Sequence, residues 1–265
     1  FSARAGFTMV EILLALMILA IGLAMVAAAV PTGVAWSVRA VEQRTGTIIA
    51  ANAETMIALK FSQPDLTSVG TTCQGLPSFA DKLPLSERTY AFGAAVPYPV
   101  TDSTQQTTAL YYWTALIRRP PGEPVERPSC YDVIVLVLKK TSAEDQFAVG
   151  NGMSEVTNIR LPGAEPEVPF VAALSISSAA NANGNGVIGL AGVDTTFPQT
   201  LMGSDVIDAS SGAILHVIGF AASPPSITVN ATISSSAGGT LYCVPPCVGG
   251  NQSPLLSAIQ TRLSF

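Results

Sequence analysis

Across residues 7–30 the one ionisable side chain is Glu11; the other positions hold Ile, Leu, Val, Met, Ala, Gly, Phe and one Thr. A helix needs about 20 apolar residues to cross a bilayer, so this stretch predicts a membrane-spanning helix. Pro31 follows, yet the pattern beyond it stays helical. Val34, Val38, Val41, Ile48, Ile49, Ala53, Met56 and Ile57 recur at helical spacings, with Arg39, Glu42, Arg44 and Glu54 between them. The spacing predicts one helix over residues 8–60, roughly 80 Å long at 1.5 Å per residue. Gly22 and Pro31 weaken its middle.

The pattern then changes. Residues 62–86 are rich in Pro, Ser, Thr and Gly and read as loop, with Cys73 inside. Residues 88–92 read as a short strand, and residues 98–108 as a polar loop. Residues 109–118 (ALYYWTALIR) and 131–139 (YDVIVLVLK) are the clearest strands, rich in β-branched and aromatic residues. The first puts Tyr111, Trp113, Ala115 and Ile117 on one face and Leu110, Tyr112, Thr114 and Leu116 on the other. Both faces are largely apolar, so this strand is expected to be covered twice, by the helix and by a further layer. Residues 119–129 (RPPGEPVERPS) make a proline-rich turn between the two strands.

Further on, residues 150–169 read as loop and 171–177 as strand. Asn-Gly favours tight hairpins, but the small residues around NANGNG (181–186) lead to the expectation of a mobile loop. Residues 205–208 and 213–220 read as a hairpin, 227–234 as another strand, and 255–265 as strand in preference to a short helix. The expected fold class is α+β: a long N-terminal helix packed on an antiparallel β-sheet head, with an additional C-terminal β layer. The expected divisions are residues 7–61 for the helix and 62–265 for the head, the latter split into 62–165 and 166–265.

Charge and chemistry narrow the function. Only 12% of the 265 residues are charged, about half the usual level, which fits a head packed among neighbours outside the cytoplasm. The net charge of −5 argues against phosphate neutralisation as the main business of the chain, and so against nucleic acid as its principal partner. A catalytic site is hard to assemble. The single His, His216, lies in an apolar strand between Leu215 and Val217 and reads as a structural, hydrogen-bonded residue. Asp194, Asp205 and Asp208 match no EF-hand spacing and read as turn-capping residues rather than calcium ligands. No cofactor and no metal is expected, and the protein is not expected to be an enzyme. Arg118, Arg119, Arg127, Lys139 and Lys140 read as solvated strand ends, and Tyr111, Tyr112 and Trp113 as core. The four cysteines, Cys73, Cys130, Cys243 and Cys247, suggest disulfides beyond a membrane-targeting segment. Three pairings are possible; Cys73–Cys130 with Cys243–Cys247 is the expected one, and a zinc site is the alternative for the second pair.

Gly6-Phe7-Thr8-Met9-Val10-Glu11, followed by ILLALMILAIGL, resembles the start of type IV pilins and type II secretion pseudopilins. That resemblance implies cleavage by a prepilin peptidase between Gly6 and Phe7, methylation of the new amine of Phe7, and pairing of Glu11 with the Phe7 amine of an adjacent subunit. Residues 1–6, with Arg4, then read as the tail of a short basic leader. The wording around ILAIGL is most similar to minor pilins of the pilus-modification type, and next to minor pseudopilins. The resemblance further implies a structural filament subunit whose partners are major and minor pilins, the prepilin peptidase, an inner-membrane assembly platform and, before assembly, membrane lipid. Its expected location is the bacterial inner membrane and then an extracellular or periplasmic filament. A DNA-uptake or adhesive tip subunit is the remaining alternative.

Overall fold

The computed structural model describes residues 8–91, 109–126, 128–139, 156–158, 171–244 and 254–265. The chain divides into two compact units, Phe1–Arg44 and Thr45–Phe265. Helix α1 (Met9–Lys60) contributes to both and continues through Pro31. Proline there removes the donor that the Ala27 carbonyl would have taken and crowds that carbonyl with its ring, while one residue on the Thr32 hydroxyl donates to the Ala28 carbonyl at 3.3 Å. In the second unit α1 buries Gly46, Ile49, Ala50, Ala53 and Ile57, one stripe at helical spacing.

That stripe lies in one core with the front of an antiparallel sheet. The sheet's centre is β3 (Ala109–Arg118) beside β4 (Cys130–Lys139). One edge of β3 carries β1 (Gln74–Gly75) and then β2 (Thr89–Ala91) in succession. The outer neighbour of β4 is β12 (Leu255–Ser264). Trp113, Ala115 and Ile117 oppose Val137, Val135 and Val133 on the helix-facing side. Tyr112, Thr114 and Leu116 oppose Leu138, Leu136 and Ile134 on the back. Every side chain from Tyr111 to Ile117 is buried, as the two apolar faces required. Each fully buried aliphatic side chain contributes about 1.5–3 kcal/mol, so the double cover makes β3 and β4 the centre of stability.

The layer on the back is a closed barrel. β6 (Val171–Ala182), β7 (Asn185–Ala191), β10 (Pro225–Val229), β9 (Ile214–Ala222), β8 (Asp205–Asp208) and β11 (Thr240–Cys243) pair antiparallel in that order, and β11 returns to β6. β5 (Val156–Asn158) adds parallel to the start of β6. Alternate residues point inward: Leu174, Ile176, Ile188, Leu190, Val206, Leu215, Val217, Ile227, Val229 and Leu241 fill the interior. The outward side chains Val171, Ile207 and Tyr242 of β6, β8 and β11 pack on the sheet's back face. Closure satisfies strand edges that short, Gly- and Ser-rich strands would otherwise expose.

Several expectations are corrected. Residues 62–86 are not plain loop: a 3-10 turn at Gln63–Leu66, β1, α2 (Phe79–Lys82) and the start of α3 (Leu85–Arg88) lie there. Leu66, Val69, Leu76 and Leu83 pin the region into the helix-facing core. Arg88 accordingly ends α3 rather than opening a strand. Phe92, residues 98–108 and most of 150–169 fall outside the described residues. NANGNG is a tight hairpin turn, not a mobile loop: Asn183 (φ +53°) and Gly184 (φ +82°) both take the left-handed conformation that a two-residue turn between β6 and β7 needs. The strand expected at 227–234 is β10, which ends at Val229. β12 does not join the second β layer. It completes the first sheet, because Ile259 and Leu263 face the helix side while Ala258 faces the back.

Candidate assembly site at the helix N-terminus

Thr8 precedes the first residue of α1, and its carbonyl accepts the first helical bond, from Ile12 N–H at 3.2 Å. Its backbone N–H and its hydroxyl both donate to Glu11 Oε2, at 2.8 and 2.9 Å. In return the Glu11 N–H lies 3.3 Å from Thr8 Oγ1. This reciprocal arrangement is a capping box, which satisfies helix-end donors that nothing else in the helix can reach. It also sets the carboxylate at the positive end of the helix dipole. Around it Met9, Val10, Ile12, Leu13 and Leu14 are exposed, and the exposed apolar surface continues on all sides of the helix as far as Val30. A helix apolar all round needs an apolar surrounding. Among the described residues α1 is the one helix long and apolar enough to cross a membrane.

Residues 1–27 match the family model described as the prokaryotic N-terminal methylation motif.

The methylation motif supports a type IV pilin-like or pseudopilin subunit. It implies processing by a prepilin peptidase and assembly with other pilins, and with the apolar α1 it supports membrane anchoring followed by filament assembly. Gly6 and Phe7 lie outside the described residues, so within the motif the described geometry is that of Thr8 and Glu11. No curated protein and no solved structure matches the chain.

Elsewhere the candidate residues scatter. His216 Nδ1 lies 2.9 Å from Asp205 Oδ1 on the neighbouring strand. The ring is exposed, because the flanking Leu215 and Val217 take the barrel interior. Asp194 caps a turn, accepting from the N–H groups of Thr196 and Phe197 at 2.7 and 2.9 Å. Asp208 is buried and accepts from the N–H groups of Ser210, Ser234 and Ser235 and from the hydroxyls of Ser210, Ser211 and Ser235. These three aspartates therefore bind the chain's own donors. Among the described residues no group of three or more His, Cys, Asp or Glu is placed to hold a metal.

Arg118 is not a solvated strand end. It is buried, with Nε and Nη2 at 3.2 and 3.0 Å from Asp132 Oδ2 and Nη1 donating to the Ser210 carbonyl at 3.0 Å. Tyr111, Tyr112 and Trp113 are core, which removes them as a stacking surface. Arg127 and Lys140 lie outside the described residues.

The expected Cys73–Cys130 bridge is not formed; both residues are free thiols. Cys73 precedes β1, on one side of β3, whereas Cys130 opens β4 on the other side. Two strand spacings separate them by about 10 Å, beyond the reach of about 7 Å for a disulfide. Burial pushes the Cys73 thiol up to about 12. Cys243 is a free thiol in the barrel interior, and burial raises it further. Its expected partner Cys247 lies outside the described residues.

Sequence reasoning passed over Thr8 and Asp132. Thr8-x-x-Glu11 is the capping-box signature directly before an apolar run, so that signal was present. Asp132 carried none, since its partners Arg118 and Arg262 come from β3 and β12.

Proposed function

We propose that the protein is a minor subunit of a type IV pilus, stored in the inner membrane through α1 and polymerised through the same helix, with its sheet-and-barrel head displayed on the filament. The observation that carries this reading is Glu11: one carboxylate at the first turn of a helix whose next 19 or so residues offer only apolar surface. Transfer of such a helix from lipid to a bundle of like helices exchanges apolar for apolar, so the hydrophobic effect gives little net drive. The acid supplies register instead. After cleavage between Gly6 and Phe7, the methylated amine of Phe7 on an adjacent subunit pairs with Glu11 in a low-dielectric bundle, where opposite charges attract more strongly than in water. A buried charge left without its partner costs several kcal/mol as a general rule, so one axial offset between neighbours is favoured.

The test is incorporation. Glu11→Ala is expected to remain in the membrane fraction and to be depleted from sheared filaments; equal recovery with wild type would refute the pairing. Gly6→Val is expected to block leader removal, read by a mobility shift. A pull-down distinguishes the pilus subunit from a minor pseudopilin, which would instead retain secretion-system pseudopilins.

A further inference from the structure

The exposed apolar helix has a second polar end. After Glu11 the next charged side chain is Arg39, and Trp36 stands one turn before it. Both are exposed; Trp36, at 68% exposure, takes no part in the head's core, whose helical stripe begins only at Gly46. At 1.5 Å per residue, Trp36 lies about 38 Å and Arg39 about 42 Å along the axis from Glu11. The hydrocarbon layer of a bilayer is about 30 Å thick, and about 40–45 Å with both headgroup layers. The uncharged run at residues 12–30 fills about 28 Å of that core. Glu11 then falls at one edge of the hydrocarbon, and Trp36 about 8 Å beyond the other. Side chains on a helix lean toward its N-terminus, so the indole of Trp36 and the guanidinium of Arg39 both lean back toward the bilayer.

We propose that Trp36 and Arg39 are the outer lipid anchor of the unassembled subunit, the indole lying among the headgroups and the guanidinium on phospholipid phosphate, and that this anchor holds Glu11 in the opposite headgroup layer. Tryptophan is the residue favoured at that depth, and a long basic side chain reaches back to phosphate from just outside it. The capping box fits the same placement, since its Glu11 carboxylate stands at the membrane–water boundary and not in hydrocarbon. Dehydration of Glu11 is thereby deferred to the assembly step. This inference rests on the membrane-stored subunit proposed above.

The test uses the full chain in vesicles of phosphatidylcholine with a minority of phosphatidylglycerol, carrying bromine either high on the acyl chain near the glycerol or at its terminal half. The difference in tryptophan fluorescence between wild type and Trp36→Phe isolates Trp36 without disturbing the core residue Trp113. Quenching by the shallow label is expected to exceed quenching by the deep label by about two-fold or more, as for an interfacial indole. Stronger quenching by the deep label, or none by either, in protein that floats with the vesicles would overturn the anchor while leaving membrane storage intact. Protein that fails to float with the vesicles would overturn the storage itself.

Discussion

Arg118 and Asp132 stand opposite each other on β3 and β4 and are joined by two hydrogen bonds at 3.2 and 3.0 Å, both residues nearly out of reach of solvent. The third guanidinium nitrogen holds the Ser210 carbonyl in the turn between β8 and β9. One side chain thus closes the sheet internally and ties it to the barrel. Removing a single partner of a buried pair strands the other, which costs about 3–5 kcal/mol. Asp132→Ala is therefore expected to lower the head's unfolding free energy by an amount in that range, measured in urea with Trp113 fluorescence. Arg262, which reaches Asp132 Oδ1 at 2.8 Å from a largely exposed position, is expected to matter much less when replaced by Ala. Equal losses from the two variants would show that burial is not the deciding factor.

The same turn makes a second prediction. Gly212 has φ +71°, and a Cβ placed there would lie 2.9 Å from Arg118 Nε. Gly184 has φ +82°, with open space around the same point. Gly184→Ala carries the left-handed backbone cost alone, about 1 kcal/mol. Gly212→Ala adds displacement of the guanidinium from its ion pair. It is expected to be the more destabilising, with the difference lost in an Arg118→Met background.

Stability should fall at acid pH in a defined window. The Lys82 ammonium at 2.6 Å, with the Ser62 hydroxyl and N–H, holds the Asp65 carboxyl down to about 2. Burial pushes Asp208 up, but the Ser235 hydroxyl, the Ser234 and Ser210 N–H groups and the Ser211 hydroxyl outweigh it and leave its carboxyl below the ordinary value. Both groups bind protons more weakly folded than unfolded, where an aspartate titrates near about 3.9. Their contribution is whole above that pH and is lost as pH falls below it, for Asp65 from about 4 toward 2. Urea midpoints of the wild-type head are expected to drop through this window, and Asp65→Asn to flatten the drop. A midpoint constant from about pH 4 to 2 would remove both carboxylates from the account.

Thiol chemistry checks the sheet order. Cys73 and Cys243 are buried and their thiols are raised by that burial, whereas Cys130 is half-buried at the start of β4. Maleimide is expected to label Cys130 in the native head and Cys73 only on unfolding. Peptide mapping without reductant is expected to find no Cys73–Cys130 bridge.

What could be read from the residues, and what could not, follows from where each signal sits. The helix and the strands β3 and β4 were legible because their apolar patterns are long and unbroken. The membership of β12 was not: LLSAIQTRLSF looks the same whether it pairs with β4 or with a barrel strand, and only the match of Ile259 and Leu263 to the helix-facing core decides. Barrel closure was illegible because β11 is four residues long and pairs on both sides with strands distant in the chain. Arg118 was misplaced since an arginine at a strand end looks solvated until its acid on the next strand and the turn beneath it are in position. Glu11 stood out by contrast with its neighbours, an oddity of local sequence that needs no tertiary information.

Glu11 has two separable duties, and one substitution divides them. As the third helical residue, closing the capping box, it needs only an acceptor for the Thr8 N–H and hydroxyl, and glutamine fills that place nearly as well as glutamate. As the partner of a neighbour's amine it needs a negative charge, which glutamine lacks. Glu11→Gln is therefore expected to keep α1 capped and the protein in the membrane at wild-type level. It should nevertheless appear in sheared filaments at least about ten-fold below wild type, since a charge-assisted bond has become a neutral one. Recovery at wild-type level would mean that capping alone is the role of Glu11 and that register between subunits is set elsewhere. Recovery as poor as that of Glu11→Ala, with α1 still intact by circular dichroism, would place the requirement on the charge.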